Sequence, residues 1–374
     1  MKNKAPMYEL NPKNTKINAR QLSFFIACFL PMGKLLELPS LLTSYAGGDL
    51  LIAALVGLVM EGLAISSVLL FCKRTNLSPL QFVEGKFGKP TANVVRLFYA
   101  VFLLIFATLP LFDLEKFSHA AFSDTSPTFF VFTPFFFLSG FICLRGIQSI
   151  GRVADLAPVL FLLPILGLMA MAVGQADFSR LLPVMEKPFS VSLKAFWNTL
   201  PYFSFGGLFL PLTSGYQYKD GDEKKLLSSL AVGAFFTLLF LAIFFSVFGL
   251  LGAKEHFAVM KIAQFFPALK FVGRIDLLLV YTLSICLMYY TAFPLQLFTQ
   301  LFTHSLALKS KLPAALSLSI VLYVLVLFGN KYATRIHSYF TSYLSPIFLL
   351  FSLILLAGDS WEGETSWSWC SGCR

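Results

Sequence analysis

Residues 24–42 read FFIACFLPMGKLLELPSLL, an apolar stretch long enough to cross a membrane. It carries two helix breakers in its middle, Pro31 and Gly33, and two charges, Lys34 and Glu37. Proline removes a backbone donor and glycine lowers the cost of leaving the helix, so the break frees N–H and C=O groups. Because hydrocarbon cannot satisfy those groups, the stretch predicts an unwound segment that protein, water or a ligand satisfies.

The composition of the chain predicts an all-α integral membrane protein. Of its 374 residues 57% are hydrophobic and 13% are charged, a balance that a water-solvated surface does not carry. We expect residues 1–21 to form an N-terminal tail, 22–357 a single membrane domain and 358–374 a C-terminal tail. Ten apolar stretches predict ten transmembrane helices in the lipid bilayer, at about 22–46, 50–72, 91–112, 127–144, 153–174, 193–213, 227–252, 277–303, 312–329 and 336–357.

The basic residues predict the orientation of the chain in the membrane. If the N-terminus lies inside, the inner tails and loops hold more Lys and Arg than the outer loops, which follows the positive-inside rule. We therefore expect both termini in the cytoplasm. The 29 Lys and Arg residues are scattered over short loops instead of gathered on one face, so no nucleic-acid partner is predicted.

The sixth apolar stretch is interrupted by proline and glycine, as the first is. It reads FWNTLPYFSFGGLFLPL (196–212) and is interrupted by Pro201, Gly206 and Gly207. Paired breaks in corresponding helices of two five-helix halves, about 22–174 and 193–357, are typical of inverted-repeat transporters with a binding site near the bilayer midplane. The half-helix after each break offers free N–H groups, so a small solute with a carboxylate is the expected guest.

Lys34 lies deep in the first span, where a charge costs about 2.5–3.5 kcal/mol, so it needs a partner. Glu37, three residues on, is one candidate if the helix has resumed there. Alternatively, Lys34 faces the cavity, where it binds an anionic group or supplies the charge of a coupling cation, or it snorkels to the interface. Glu61, midway along the second span, is a further candidate partner or proton carrier.

Two other segments carry candidates of lower rank. Hydroxyl groups in membrane helices usually form hydrogen bonds with neighbouring helices or with their own backbone. In the eighth span, Tyr281, Thr282 and Ser284 are nevertheless second-rank candidates for the pocket. Residues 254–274 alternate basic and apolar faces and are predicted to lie along the outer membrane surface, as a lid or a partner surface.

The motifs of several enzyme classes are absent from the sequence. It has no GxxxxGK[ST], no GxSxG and no HExxH, and its four histidines lie far apart. We therefore predict no enzyme, no cofactor and no metal site.

Six short motifs occur in the order found in a known family. That family is the spore germination B subunits, the endospore germination permeases of the amino acid/polyamine/organocation superfamily. The motifs that resemble it are KINARQ (16–21), FLPMGKLLELPSLL (29–42), SPLQFVEGKFGKP (78–90), RGIQSIGRVADLAPVLF (145–161), FSRLLPVMEKP (178–188) and FVGRIDLLLV (271–280).

The resemblance implies a leucine-transporter-type fold with discontinuous helices 1 and 6. It also implies a subunit that senses a nutrient, commonly an amino acid, in the spore inner membrane together with an A subunit and a lipoprotein C subunit. The alternatives are a proton- or Na⁺-coupled amino acid permease, with Glu61, Glu37 or Lys34 in the coupling path, and a structural membrane subunit. By position, the pocket residues would be Leu30, Pro31, Met32, Gly33, Lys34, Leu35, Phe203, Ser204, Phe205, Gly206 and Gly207.

Overall fold

The regular structure of the chain is helical within the part that a computed structural model describes. One isolated bridge joins Ile17 to Tyr216. The described residues are 17–75, 77–122, 133, 137, 140, 141, 146–183, 185–216, 218, 219, 221–265, 275–306, 320–324, 335, 339 and 343–357.

Thirteen α-helices are bounded within these ranges. They are α1 Ala19–Met32, α2 Leu38–Ala46, α3 Leu50–Thr75, α4 Pro79–Phe87, α5 Lys89–Phe122, α6 Ile147–Ala157, α7 Leu163–Val173, α8 Phe189–Asn198, α9 Phe205–Leu212, α10 Asp222–Phe248, α11 Ala258–Phe265, α12 Ile275–Ser305 and α13 Ser345–Ala357. A π-helical turn, Pro158–Leu162, joins α6 to α7.

Most of the predicted spans coincide with these helices. Five helical stretches are long and apolar enough to cross a membrane, and α1 is a shorter apolar helix. The fourth and ninth predicted spans, 127–144 and 312–329, lie largely outside the described residues, although 320–324 are helical. The number of ten spans therefore stays a prediction.

Both predicted breaks are present, and the first begins later than its proline. Helix α1 runs through Pro31 and ends at Met32, because the Pro31 carbonyl accepts the Lys34 N–H at 2.8 Å and closes the last turn. Pro39 then occupies the first turn of α2, where no backbone donor is needed. The second break separates α8 from α9 and contains the short 3₁₀ turn Leu200–Phe203.

The broken helices lie at the centre of the fold. Every residue of α9 is buried, as is α1 from Phe25 to its end. Helix α1 packs against α10 and α6, α9 packs against α3 and α13, and α5 packs along α12. Large apolar side chains on the outer faces stay exposed, for example Val94 on α5 and Leu163 on α7, as expected for helices in contact with lipid.

The segment predicted along the membrane surface buries its apolar face where the structure describes it, while Lys254, His256 and Gln264 are exposed. In α11 the side chains of Val259, Met260 and Ile262 are buried, and the Ala258 N–H donates to the Leu36 carbonyl at 2.9 Å. The apolar face of helix α11 therefore packs onto the first break, which leaves a carbonyl that needs a donor, and its position along the membrane surface stays a prediction. Residues 266–274 lie outside the described residues.

Candidate functional site

The two breaks meet in the folded chain. The Tyr202 hydroxyl, from the second break, donates to Glu37 Oε2 of the first break at 3.1 Å. The Lys34 ammonium lies 5.5 Å from the centre of the Phe203 ring, within the range of a cation–π contact. The fold thus joins two segments that lie about 170 residues apart in sequence.

The partner of Lys34 is Glu61. The Lys34 ammonium lies 2.9 Å from Glu61 Oε2 and 3.1 Å from Oε1, and it donates to the Leu30 carbonyl at 2.9 Å. Lys34 is 2% exposed and Glu61 is 0% exposed, so Lys34 does not snorkel. Of the two candidate partners it is therefore Glu61 that pairs with Lys34; residues 33–37 are not helical, so the i, i+3 geometry that would bring Glu37 beside Lys34 does not apply there.

Glu61 also contacts the second break. The Glu61 carboxylate lies close to the backbone N–H of Phe205, the first residue of α9. A helix N-terminus favours a negative charge. The Lys34–Glu61 pair therefore links the first break, α3 and the start of α9.

Glycines at and beside the first break leave room for two aromatic rings. A Cβ on Gly33 would lie closer than 3.0 Å to three atoms of the Tyr290 side chain, and a Cβ on Gly57 would lie 2.6 Å from the Phe203 ring. Gly33 has a φ of −71°, which any residue adopts, so it is needed for space and not for its backbone freedom. Tyr290 in turn packs on Phe29, with 4.7 Å between ring centres.

The glycine pair of the second break packs against neighbouring helices. A Cβ on Gly206 would lie 2.6 Å from the Ala64 Cβ of α3, and one on Gly207 would lie 3.1 Å from the Phe348 Cβ of α13. Phe348 also stacks on Phe102, with 3.5 Å between ring centres. In this conformation the two glycines let α9 approach α3 and α13 closely.

The remaining predicted pocket residues are mostly buried. The Ser204 hydroxyl donates to the Leu200 carbonyl at 3.0 Å, as hydroxyls in membrane helices often do. Ser284 is buried, Thr282 is half-buried, and the side chain of Tyr281 lies outside what the structure describes. The predicted pocket residues with buried side chains are Leu30, Pro31, Met32, Lys34, Leu35, Phe203, Ser204 and Phe205.

Three residues at the breaks carry contacts that the sequence analysis did not assign to them. They are Tyr202, which binds Glu37, Gly57, which makes room for Phe203, and Tyr290, which covers Gly33. Gly57 lies four residues before Glu61 and hence on the same face of α3, a spacing that was available in the sequence. The contacts of Tyr202 and Tyr290 depend on tertiary packing alone.

A buried carboxylate fixes the chain between α7 and α8. Asp49, in the turn between α2 and α3, accepts hydrogen bonds from the Met185 N–H at 2.7 Å and the Lys187 N–H at 2.9 Å. This contact ties the segment that leads into the second broken helix to the end of the first.

The described residues contain no group of three or more His, Cys, Asp and Glu side chains that could hold a metal ion. The chemistry available at the breaks is therefore that of one buried ion pair, backbone groups, hydroxyls and aromatic rings.

Comparison with known proteins agrees with this architecture. The sequence model of the spore germination protein family matches residues 16–355, and no curated protein matches the chain. The crystal structure of MhsT in complex with L-phenylalanine aligns with a TM-score of 0.69 and 15% identity, over 94% of this chain and 91% of that chain. At this identity the likeness concerns the fold, and it confirms the predicted leucine-transporter type. The chain belongs to the spore germination protein family and has the fold of a membrane transporter.

Proposed function

We propose that this chain is the nutrient-binding subunit of a spore germinant receptor, and that a small solute binds where α1–α2 and α8–α9 are interrupted. The observation that carries the proposal is the buried Lys34–Glu61 pair, which lies between the two breaks and contacts the start of α9. Ionisable groups buried inside membrane domains are rare, and where they occur they usually belong to a functional site.

The solute pocket would be lined by the predicted residues of both breaks, Leu30 to Leu35 and Phe203 to Gly207. Tyr281, Thr282 and Ser284 are second-rank pocket residues. An amino acid is the first class to test. MhsT, which shares the fold, was crystallised with L-phenylalanine, and half-helix ends suit a carboxylate and an ammonium group.

Binding would act on the contacts that cross the two breaks. The Glu37–Tyr202 hydrogen bond and the Lys34–Phe203 contact both join them, and Tyr290 covers Gly33. A solute that enters between the breaks must displace or rearrange these groups, so it binds conformations with different affinity. That difference is what shifts a pre-existing equilibrium toward the signalling state.

The A subunit and the lipoprotein C subunit of the receptor would convert this shift into germination. We place the chain in the spore inner membrane with both termini in the cytoplasm, which agrees with the distribution of Lys and Arg. The exposed apolar side chains of the outer helix faces support insertion in a bilayer.

The second candidate is a proton- or Na⁺-coupled amino acid permease with Glu61, Glu37 or Lys34 in the coupling path. The transporter fold shared with MhsT favours it. A permease releases its solute into the cell, whereas a receptor subunit needs only to bind it, so uptake distinguishes the two candidates.

Substitutions at the breaks test the proposed site. Gly33→Leu and Gly207→Leu should abolish the loss of refractility that the nutrient triggers in spores, because both side chains enter occupied space. Gly167→Leu is the matched control, since a Cβ at Gly167 would have no neighbour within 4 Å. Each variant must accumulate in the membrane fraction as the wild type does. Normal responses from both break variants would refute the pocket.

A further inference from the structure

We propose that Lys34 is a tethered cation that occupies a built-in site for a small monovalent cation. The chain would consequently bind its nutrient and change conformation without an alkali-metal ion. The second statement rests on the proposed function, whereas the cation site itself does not.

The surroundings of the Lys34 ammonium are those of a hard cation. The groups within hydrogen-bond distance are the Leu30 carbonyl oxygen at 2.9 Å and the two Glu61 carboxylate oxygens at 2.9 and 3.1 Å. Carbonyl and carboxylate oxygens are the ligands that hard cations prefer. The face of the Phe203 ring, 5.5 Å away, adds the attraction of an aromatic quadrupole.

The position of these ligands also favours a positive charge. Leu30 lies in the last turn of α1, where carbonyls have no partner within the helix and the dipole is negative. Unwound carbonyls and the C-terminal ends of half-helices coordinate the coupling ion in transporters built from broken helices. Here a side chain of the break itself supplies the charge, four residues after the carbonyl that it caps.

The tether keeps the Lys34 amine at these oxygen ligands. Lys34 is 2% exposed and Glu61 is 0% exposed, so neither group exchanges with ions in solution in this conformation. A free ion cannot bind the same oxygen ligands while the ammonium occupies the site. Nutrient binding by the wild type should therefore be the same in Na⁺, K⁺ and choline salts.

Removal of the tethered charge should convert the site into one for a free ion. In Lys34→Ala the Glu61 carboxylate stays buried beside the Leu30 carbonyl, and the space of the lysine side chain opens. An uncompensated buried charge is unfavourable, so Glu61 must take up a cation or a proton. A high pH disfavours the proton as the competing cation, so at about pH 8 we expect Na⁺ to be bound.

The test is the thermal unfolding of the purified full-length chain in detergent at about pH 8, in NaCl and in choline chloride of equal ionic strength. The Tm of Lys34→Ala should be higher in NaCl by at least about 2 °C, since an ion that binds only the folded state stabilises it. The wild type should show no difference. If Lys34→Ala does not fold in choline chloride, recovery of folded protein in NaCl alone is the same result.

Three controls fix the position of the ion. Lys34→Met removes the charge and fills the space, so it should not gain a response to Na⁺. Lys34→Ala combined with Glu61→Gln should not gain one either. Arg96→Ala, which breaks the Arg96–Glu84 pair at the start of α5, reports any general effect of Na⁺ on a broken ion pair. Because no nutrient is added, the result is independent of the proposed function.

Two outcomes would overturn the proposal. One is a Lys34→Ala variant with the same Tm in both salts. The other is an equal rise in Na⁺ for the wild type or for Lys34→Met, which would locate the ion elsewhere.

Discussion

Gly33→Ala adds one methyl group to the first break, where the space is filled by Tyr290. The new Cβ would lie closer than 3.0 Å to three atoms of Tyr290, a separation that real Cβ atoms do not show, so the ring must move. Tyr290 packs on Phe29 at 4.7 Å and on Phe106 at 5.9 Å between ring centres. Movement of the ring therefore disturbs these neighbours as well.

The size of the effect follows from two opposing contributions. Overpacking a closely packed interior costs about 1–3 kcal/mol. The backbone of Gly33, at φ −71° and ψ −21°, suits alanine, which restricts the unfolded chain and returns about 0.4–1 kcal/mol. The free energy of unfolding should fall by about 0.5–2 kcal/mol, which corresponds to a few degrees in Tm.

Thermal unfolding in detergent measures this loss, and a double-mutant cycle assigns it. Tyr290→Leu removes the clashing ring atoms, so the Gly33→Ala loss should shrink by at least about 0.5 kcal/mol in the Tyr290→Leu background. Gly167→Ala is the control, because its Cβ would meet no atom within 4 Å, and it should be neutral or stabilising. A Gly33→Ala loss that is absent, or that is equal in both backgrounds, would refute the packing of Tyr290 on the first break.

Three further experiments test separate contacts. Lys34→Met should lower the free energy of unfolding by about 3–5 kcal/mol, because it leaves the buried Glu61 charge unpaired. The double variant Lys34→Met with Glu61→Leu should lose much less. If the double variant instead loses the sum of the two single losses in a denaturation experiment, the pair is contradicted. Asp49→Asn leaves one of two backbone N–H groups without its acceptor, so limited proteolysis before α8 should be faster than in the wild type; an equal rate would contradict this contact. The Arg96 guanidinium lowers the pKa of the Glu84 carboxyl below its usual 4.5, so their pair stabilises the fold above that pH and ceases to do so as the pH falls through the lowered pKa. Glu84→Gln should flatten this part of the dependence of Tm on pH, and an unchanged profile would argue against it.

The breaks were predictable from the sequence because proline and glycine act locally. Pro31, Gly33 and Pro201 mark interruptions whatever surrounds them, and the structure interrupts both helices within a few residues of them. The late onset of the first break was not predictable. A proline in the last helical turn fits the helix, and its carbonyl accepts the bonds that end it.

The sequence limits the candidate partners of Lys34 to two glutamates but does not decide between them. Both Glu37 and Glu61 were candidates, and the choice depends on whether the helix resumes by residue 37 and on where α3 lies. In the structure the helix resumes at Leu38. Glu37 therefore accepts a hydrogen bond from Tyr202, and Glu61 forms the ion pair with Lys34. Such contacts arise from the packing of three elements, which periodicity along one element does not encode.

We propose that this chain binds a germinant nutrient at the interrupted helices and acts as a receptor subunit. The most direct measurement uses spores that lack the chain, scored for loss of refractility with single amino acids, sugars and nucleosides, while growing cells are followed for uptake of the same solutes. We expect the response to one nutrient to be lost with its uptake unchanged, and to return with the wild-type chain but not with Gly33→Leu. Lost uptake with normal germination would contradict the claim and identify a permease.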